Sequence, residues 1–531
     1  MSKKFRLFSI LAIFLTNSSL WSQVVFEDAG NKSIYQFLDE LANENIIVIN
    51  SAIKPFSRSF IAKKLAEASL AEAELGKRQR YELNFYLKDF NKELLPEKFS
   101  NKRFDVFYYK DSVFSFTLNP IIGGQVWKNE NGINYHRYFG AEAFGYAGKH
   151  LGMYASLRDN TEKYRLADTG KITLRSGGKY RGGDYSEMRG GVTWGWNWGY
   201  VALVKDRIEW GNSYRYPNIL SAKAPSFAQF KWQLKPCSWF EFNYVHGWLV
   251  SEIIDSSRSY NYNGIPRNVF HSKYIAANMF TFTPWKRLNV SLGNSIVYSD
   301  QYLNPAYFIP VFFYKSVDHT YNGNTNAAGQ NSQMFFDISS RLIPKTHLYY
   351  SMFIDVLSFS TVFSETENVN HWSMLGGLRV SNLIGNTCFT IEFIQNNPLV
   401  YKNDNPTTLY SSNRYNLGHY LGDNARELYF ELGTKPLAML EIKAWYSLAK
   451  KGPDYQYIRK TGALSGKKTL ESIEWEQQQI ALQMNYQVLN NFVIFLTAEK
   501  QDVTGDTKRY NSTFYQGNTL TWSFGMHYGF Y

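Results

Sequence analysis

Two cysteines in 531 residues, Cys237 and Cys388, are too few for a disulfide framework. Cys237 falls in an expected tight turn and Cys388 inside an expected strand, which argues against pairing. After the N-terminus the chain has no apolar run of the ~20 residues that a membrane-crossing helix needs, so a helical membrane protein is excluded. Basic residues are dispersed among acids instead of clustering on one face, which excludes a nucleic-acid surface despite a formal net charge of +12. The nine histidines show no paired spacing with carboxylates, so no metal centre is expected. There is no Gly-x-Ser-x-Gly elbow. The stretch Gly462 to Thr469 resembles a phosphate loop, but it has one residue too few between its glycines and one too many before Thr469. Neither enzyme chemistry nor a cofactor is expected.

Aromatic residues are abundant instead: 39 Tyr, 39 Phe and 14 Trp make up 17% of the chain, within a mean hydropathy of -0.36. Many rings in a polar average suit a membrane barrel with aromatic girdles, because lipid-facing and wet positions alternate and cancel in any hydropathy window. The last stretch, Asn518 to Tyr531, has this form. Leu520, Trp522, Phe524, Met526, Tyr528 and Phe530 alternate with Thr519, Thr521, Ser523, Gly525, His527 and Gly529.

The first 22 residues read as a cleaved secretory signal, with Lys3, Lys4 and Arg6 ahead of the apolar Leu7 to Leu15. Residues 23–100 then read as a small periplasmic helical domain, and residues 101–531 as the barrel. Three amphipathic helices are expected. One follows Ser33, with Ile34, Phe37, Leu38 and Leu41 on one face, and one starts near Ser57, with Phe60, Ile61, Leu65 and Ala68. A third runs from about Lys77, with Leu83, Tyr86, Leu87, Phe90 and Leu94. Three short helices can bury their stripes only against each other or against the barrel.

From about Val113 the period is two. Short turns carrying Pro, Gly or Asn, such as Lys235-Pro236-Cys237-Ser238 and Ile343-Pro344-Lys345-Thr346, join hairpins that are separated by long polar loops. Short turns at one end and long loops at the other are the polarity of an outer-membrane barrel. Counting from a rising first strand gives about eighteen antiparallel strands, with the helical domain and the C-terminus on the periplasmic side. The expected fold is mainly β, a transmembrane barrel. Ile480, Leu482 and Met484 face lipid; Lys231, Glu241, Arg379, Glu392, Glu427, Glu431 and Lys443 face the lumen. Mixed charges there cross-brace the wall or hold folded-in loops more readily than they form a one-sign selectivity ring.

The segment Lys205 to Ser226 stands out. Arg207 is followed by Trp210-Gly211, Asn212 and Ser213, and then by Ala222 to Pro225. This pattern resembles the signature of the Wzi-type capsule assembly proteins of the outer membrane in Bacteroidetes-like bacteria. Pro55-Phe56-Ser57-Arg58-Ser59-Phe60-Ile61-Ala62 is similar to that family's N-terminal helical region. It is also faintly similar to a single surface-layer homology repeat. The Wzi resemblance implies an eighteen-stranded barrel, a periplasmic helical bundle, and a surface lectin that holds exported capsular polysaccharide to the cell. Rings that pack on sugar C–H faces, with Asn and Arg for the hydroxyls, are the chemistry required. The loop candidates are Arg207, Trp210, Tyr214, Tyr216, Asn218, Tyr260 and Tyr262, of which Arg207 and Trp210 would equally serve to pin their loop inside the lumen. Expected partners are the polysaccharide, outer-membrane lipid and a periplasmic protein docked on the helices. The alternatives are a porin for small solutes and a scaffold for a secretion partner.

Overall fold

A computed structural model describes residues 23–94, 103–300, 302–322, 329–358, 370–456 and 467–529. The expected signal segment, the boundary expected near residue 100 and the start of the phosphate-loop look-alike at Gly462 lie outside these residues.

Eighteen antiparallel strands close into a barrel. In chain order they are β1 (Phe114–Asn129), β2 (Gly132–Ala147), β3 (Leu151–Glu162), β4 (Asp184–Trp196), β5 (Gly199–Asp206), β6 (Phe227–Cys237), β7 (Phe240–Ile254), β8 (Phe270–Trp285), β9 (Leu288–Ser299), β10 (Asn331–Ser340), β11 (Thr346–Val356), β12 (His371–Val380), β13 (Thr387–Asn396), β14 (Ala425–Leu437), β15 (Leu440–Lys451), β16 (Trp475–Leu489), β17 (Phe492–Gly505) and β18 (Asn518–Tyr528). Each strand pairs with its sequence neighbour. The seam closes where β18 pairs β1, from Trp522 opposite Lys128 to Tyr528 opposite Ile122. Short turns such as 197–198, 286–287 and 490–491 lie at the periplasmic end, and the long connections lie at the other.

The alternation does what the period predicts. Phe139, Leu203, Ile480, Leu482, Phe524 and Met526 stand bare on the outer face, while Gln125 donates to Ser523 across the seam on the inner face.

Among the described residues three α-helices precede the barrel: α1 (Lys32–Asn43), α2 (Arg58–Leu70) and α3 (Lys77–Leu94). The helix expected after Ser33 starts two residues earlier, at Lys32, with Asn31 in the capping position and no side-chain cap bond. Helix α2 starts near Ser57 as expected, and Ser57 caps it, its Oγ accepting from the Phe60 amide at 3.1 Å. The three apolar stripes meet in one core that includes Phe37, Leu41, Ile61, Leu65, Leu83 and Phe90. Ahead of them, residues 24–26 run along the inside of the wall. The Thr193 hydroxyl donates to the Val24 carbonyl, and Phe26 packs edge-on against Tyr200 at 5.4 Å.

The long loops do not all project away from the barrel. The β5–β6 and β13–β14 loops turn into the lumen. The segment 302–322 of the β9–β10 loop, read from sequence as an ordinary extracellular loop, lies against the outer face of β7 to β9.

Candidate functional site

The β5–β6 loop crosses the lumen and is bonded to the far wall along its length. Glu209–Trp210 forms a small sheet with Ile53–Lys54 on one side and Leu220–Ser221 on the other, so the loop meets the helical segment inside the barrel. Trp210 is 1% exposed and sits edge-on to Phe335 at 6.0 Å. Gly211 follows at φ +103°, a backbone region closed to most side chains, which accounts for the Trp-Gly pair. Asn212 gives its backbone amide and its side-chain amide to the two oxygens of Asp337, at 2.8 and 2.6 Å. Ser213 and the Tyr214 amide donate to Glu392 at 2.7 and 3.0 Å. The Tyr214 hydroxyl bonds His347 Nδ1 at 2.8 Å, and the Arg379 guanidinium lies 4.6 Å above its ring. Arg215 pairs Glu427 at 3.2 Å. Asn218 is fully buried. It donates to Ser373 Oγ at 3.0 Å and accepts from Ser351 Oγ at 2.8 Å.

The β13–β14 loop lies over this one. Tyr401 and Tyr410 donate to the carbonyls of Asn218 and Ile219 at 2.9 and 3.0 Å. Tyr216 is buried against Tyr420 and edge-on to His419. Lys223 ties in the β3–β4 connection by donating to the carbonyls of Thr173 and Arg175 at 2.6 and 2.7 Å. Burial, with Arg175 and Arg207 nearby, pushes its ammonium down to about 7.

The helices close the periplasmic end through charge. Arg341 reaches Asp39 at 2.8 Å and Asn43 at 2.7 Å, and Lys435 lies 3.2 and 3.3 Å from Glu40 and Glu82. Burial alone would raise the Glu40 carboxyl, but Lys435 and Arg78 beside it override this and hold it at about 2. Arg58, from the Pro-Phe-Ser-Arg stretch, anchors a buried cluster. It pairs Glu27, Asp89 and Glu93 at 2.7, 3.0 and 2.6 Å and lies between the rings of Phe90 and Phe144. One helical residue thereby ties the N-terminal segment to the wall.

The candidates divide into two groups. Trp210, Tyr214, Tyr216 and Asn218 belong to the inward fold, and Arg207 flanks it, 2.6 Å from Glu187. Trp210, Tyr216 and Asn218 are buried and present no outward surface. Tyr260 and Tyr262 lie apart, 59% and 58% exposed, on a small extracellular hairpin in which Tyr260–Tyr262 pairs Ile265–Arg267. Being two residues apart on a strand, they point to one side, and Arg267 lies directly opposite Tyr260. The lumen charges lie on the inner face and brace it. Arg379 pairs Glu431 at 3.2 Å, Glu241 meets Lys235 at 3.2 Å, Lys443 meets Glu441 at 3.1 Å, and Lys231 lies 4.2 Å above the Phe26 ring. Gly377 leaves room for the Tyr349 ring, which then donates to Glu392 at 2.6 Å; a Cβ there would stand 2.1 Å from its hydroxyl. Sequence reasoning did not find the N-terminal segment in the lumen or the β13–β14 loop on the plug. Neither has a periodicity that marks what it packs on.

A closed cylinder with a bare hydrocarbon belt and a polar interior is an outer-membrane β-barrel, here with its lumen crossed by its own loops. Among solved structures it is similar to Wzi of Escherichia coli, an outer-membrane protein involved in group 1 capsule assembly and described as a carbohydrate-binding β-barrel. The TM-score is 0.57 and the identity 14%, over 96% of this chain and all of the other. OprD and OpdK with vanillate, both from Pseudomonas aeruginosa, match at TM-scores of 0.42 and 0.43. They are 10% and 8% identical over 78% of this chain, and 93% and 98% of theirs are covered. No family model matches the chain, and no curated protein matches it either.

Proposed function

We propose that this barrel binds surface polysaccharide, of the capsular kind, with its extracellular loops and helps attach or assemble a capsule, without covalent chemistry. The observation that carries this reading is the occupied lumen. The β5–β6 loop bonds Asp337, Glu392, Glu427 and Ser373 of the facing wall, so protein lies across the path a porin would use, which favours work by the exposed loops. The 260–267 hairpin offers two tyrosine faces on one side, with Arg267 opposite Tyr260 and Asn263 in the turn beyond Tyr262. Rings for sugar C–H faces and amides for hydroxyls are the chemistry a glycan needs, and the arginine suits an acidic one. The carbohydrate binding recorded for Wzi, on a similar fold, supports the same reading.

Planar-bilayer conductance and polysaccharide binding test it together. The intact protein is expected to form no large steady channel and to retain acidic capsular polysaccharide, and Tyr260→Ala with Tyr262→Ala to lose most of that retention. A stable open channel with no glycan retention replaces this reading with the porin.

A further inference from the structure

The outward face of β7 to β9 carries residues that do not belong against lipid. Bare Leu203 is paired with Phe230, and the register carries that face through His246 and Tyr244 on β7, Ala276 and Asn278 on β8, and Ile296 and Asn294 on β9. Elsewhere on the barrel such positions are bare, yet His246, Asn278 and Ile296 are 0% exposed. Segment 302–322 covers them. Asn278 donates to the carbonyls of Pro310 and Phe312 at 2.8 and 2.9 Å. Asn294 accepts from the Tyr314 amide at 2.9 Å and donates to Asn278 at 2.8 Å. Tyr244 donates to the Tyr307 carbonyl at 2.9 Å, and Phe308 stacks flat on His246 with ring centres 4.0 Å apart. Asn278 and Asn294 therefore act as posts that satisfy the Pro310 and Phe312 carbonyls and the Tyr314 amide on the lipid side of the wall, where an unsatisfied backbone group is costly.

The outer surface of the segment changes character along its length. Ile309, Val311, Phe312 and Phe313 are exposed and apolar, whereas the helix Tyr314–Asn322 shows Lys315, Ser316, His319 and Thr320. The apolar tip sits at the row of Asn278, seven residues along β8 from Trp285 near the periplasmic turn. At the rise and tilt of barrel strands that row lies ~18 Å above the tryptophan, below the top of an apolar band ~25 Å tall. Phe282 and Leu292 continue the bare belt beneath it. We infer that segment 302–322 is a clasp buried in the outer leaflet, with Ile309 to Phe313 among acyl chains and the polar helix face at the headgroups. The occupant of this face is lipid, because the patch is continuous with the hydrocarbon belt and its exposed tip is apolar at every position but a proline.

The test uses the full-length protein with Cys237→Ser and Cys388→Ser, reconstituted in phosphatidylcholine vesicles, with a single fluorescent label at Val311→Cys. Phe139→Cys on the bare wall and Tyr260→Cys on the hairpin serve as references. Folding is verified by heat-modifiable gel migration, and Phe313→Cys is a second probe should the first variant fold poorly. Nitroxide on the acyl chains is expected to quench the Val311 label as strongly as the Phe139 label and several-fold more than the Tyr260 label, with aqueous iodide showing the reverse order. Quenching by iodide at the level of Tyr260→Cys overturns the inference. Shielding from both quenchers overturns it as well and identifies a second copy as the cover.

Discussion

In β16 to β18 the outward positions Ile480, Leu482, Phe524 and Met526 are apolar and bare, and the inward ones are Gln479, Gln483, Thr521 and Ser523. In β7 to β9 the outward positions include His246, Asn278 and Asn294, and the inward ones include Val245, Ile275, Ala277, Met279 and Val297. The second wall mixes buried apolar and polar residues on both faces because it is covered twice. Trp210, Ile219 and Tyr410 cover its inside, in one apolar core with Val245, Ile275 and Val297, and segment 302–322 covers its outside. Which residues a barrel strand presents on each face thus depends on what lies against it, and two loops are enough to blur the alternation.

Three substitutions sharpen the contrast. Trp210→Ala empties the apolar core inside the covered wall and is expected to cost ~3–5 kcal/mol, as large-to-small core changes do; urea unfolding in vesicles measures it. Leu482→Arg places a charge on the bare wall near mid-strand and is expected to cost ~2–4 kcal/mol in the same assay, by exposing a guanidinium to hydrocarbon. Asn278→Leu is the critical comparison. On a bare wall an Asn-to-Leu change improves the fit to lipid, but here it strips the donors from two buried carbonyls and is expected to cost ~1–3 kcal/mol. Stabilisation by Asn278→Leu would mean that the two walls obey one rule.

The strands, their number, their short turns and the faces of β16 and β14 were legible in the sequence, because period-two alternation records a lipid-side and a water-side environment directly. Helix α2 was legible through Ser57, and α3 through its stripe. The doubly covered wall was not, since His246, Asn278 and Val245 look like ordinary strand residues until the loops that cover them are placed. The candidate residues divided for the same reason. The Trp210-Gly211 pair marked a loop worth attention, but an exposed Tyr262 and a buried Tyr216 are the same residue type in similarly polar stretches. Arg58 stood in a recognisable motif, yet its three carboxylate partners come from residues 27, 89 and 93, and no local spacing announces them.

The cap at the periplasmic end also bears on assembly. Glu40 lies in the first helix, and of the two cations beside it Arg78 belongs to the third helix, whereas Lys435 is 395 residues further along the chain, and Asn382, which donates to the same carboxylate at 3.1 Å, comes nearly as late. The helices can pack against one another early, with Arg78 between Glu40 and Glu82, but the second cation and the amide on these acids arrive only with β12 to β14. Docking of the cap is therefore completed late, on a nearly finished cylinder, and a chain truncated before residue 435 would leave Glu40 and Glu82 to share one cation, Arg78.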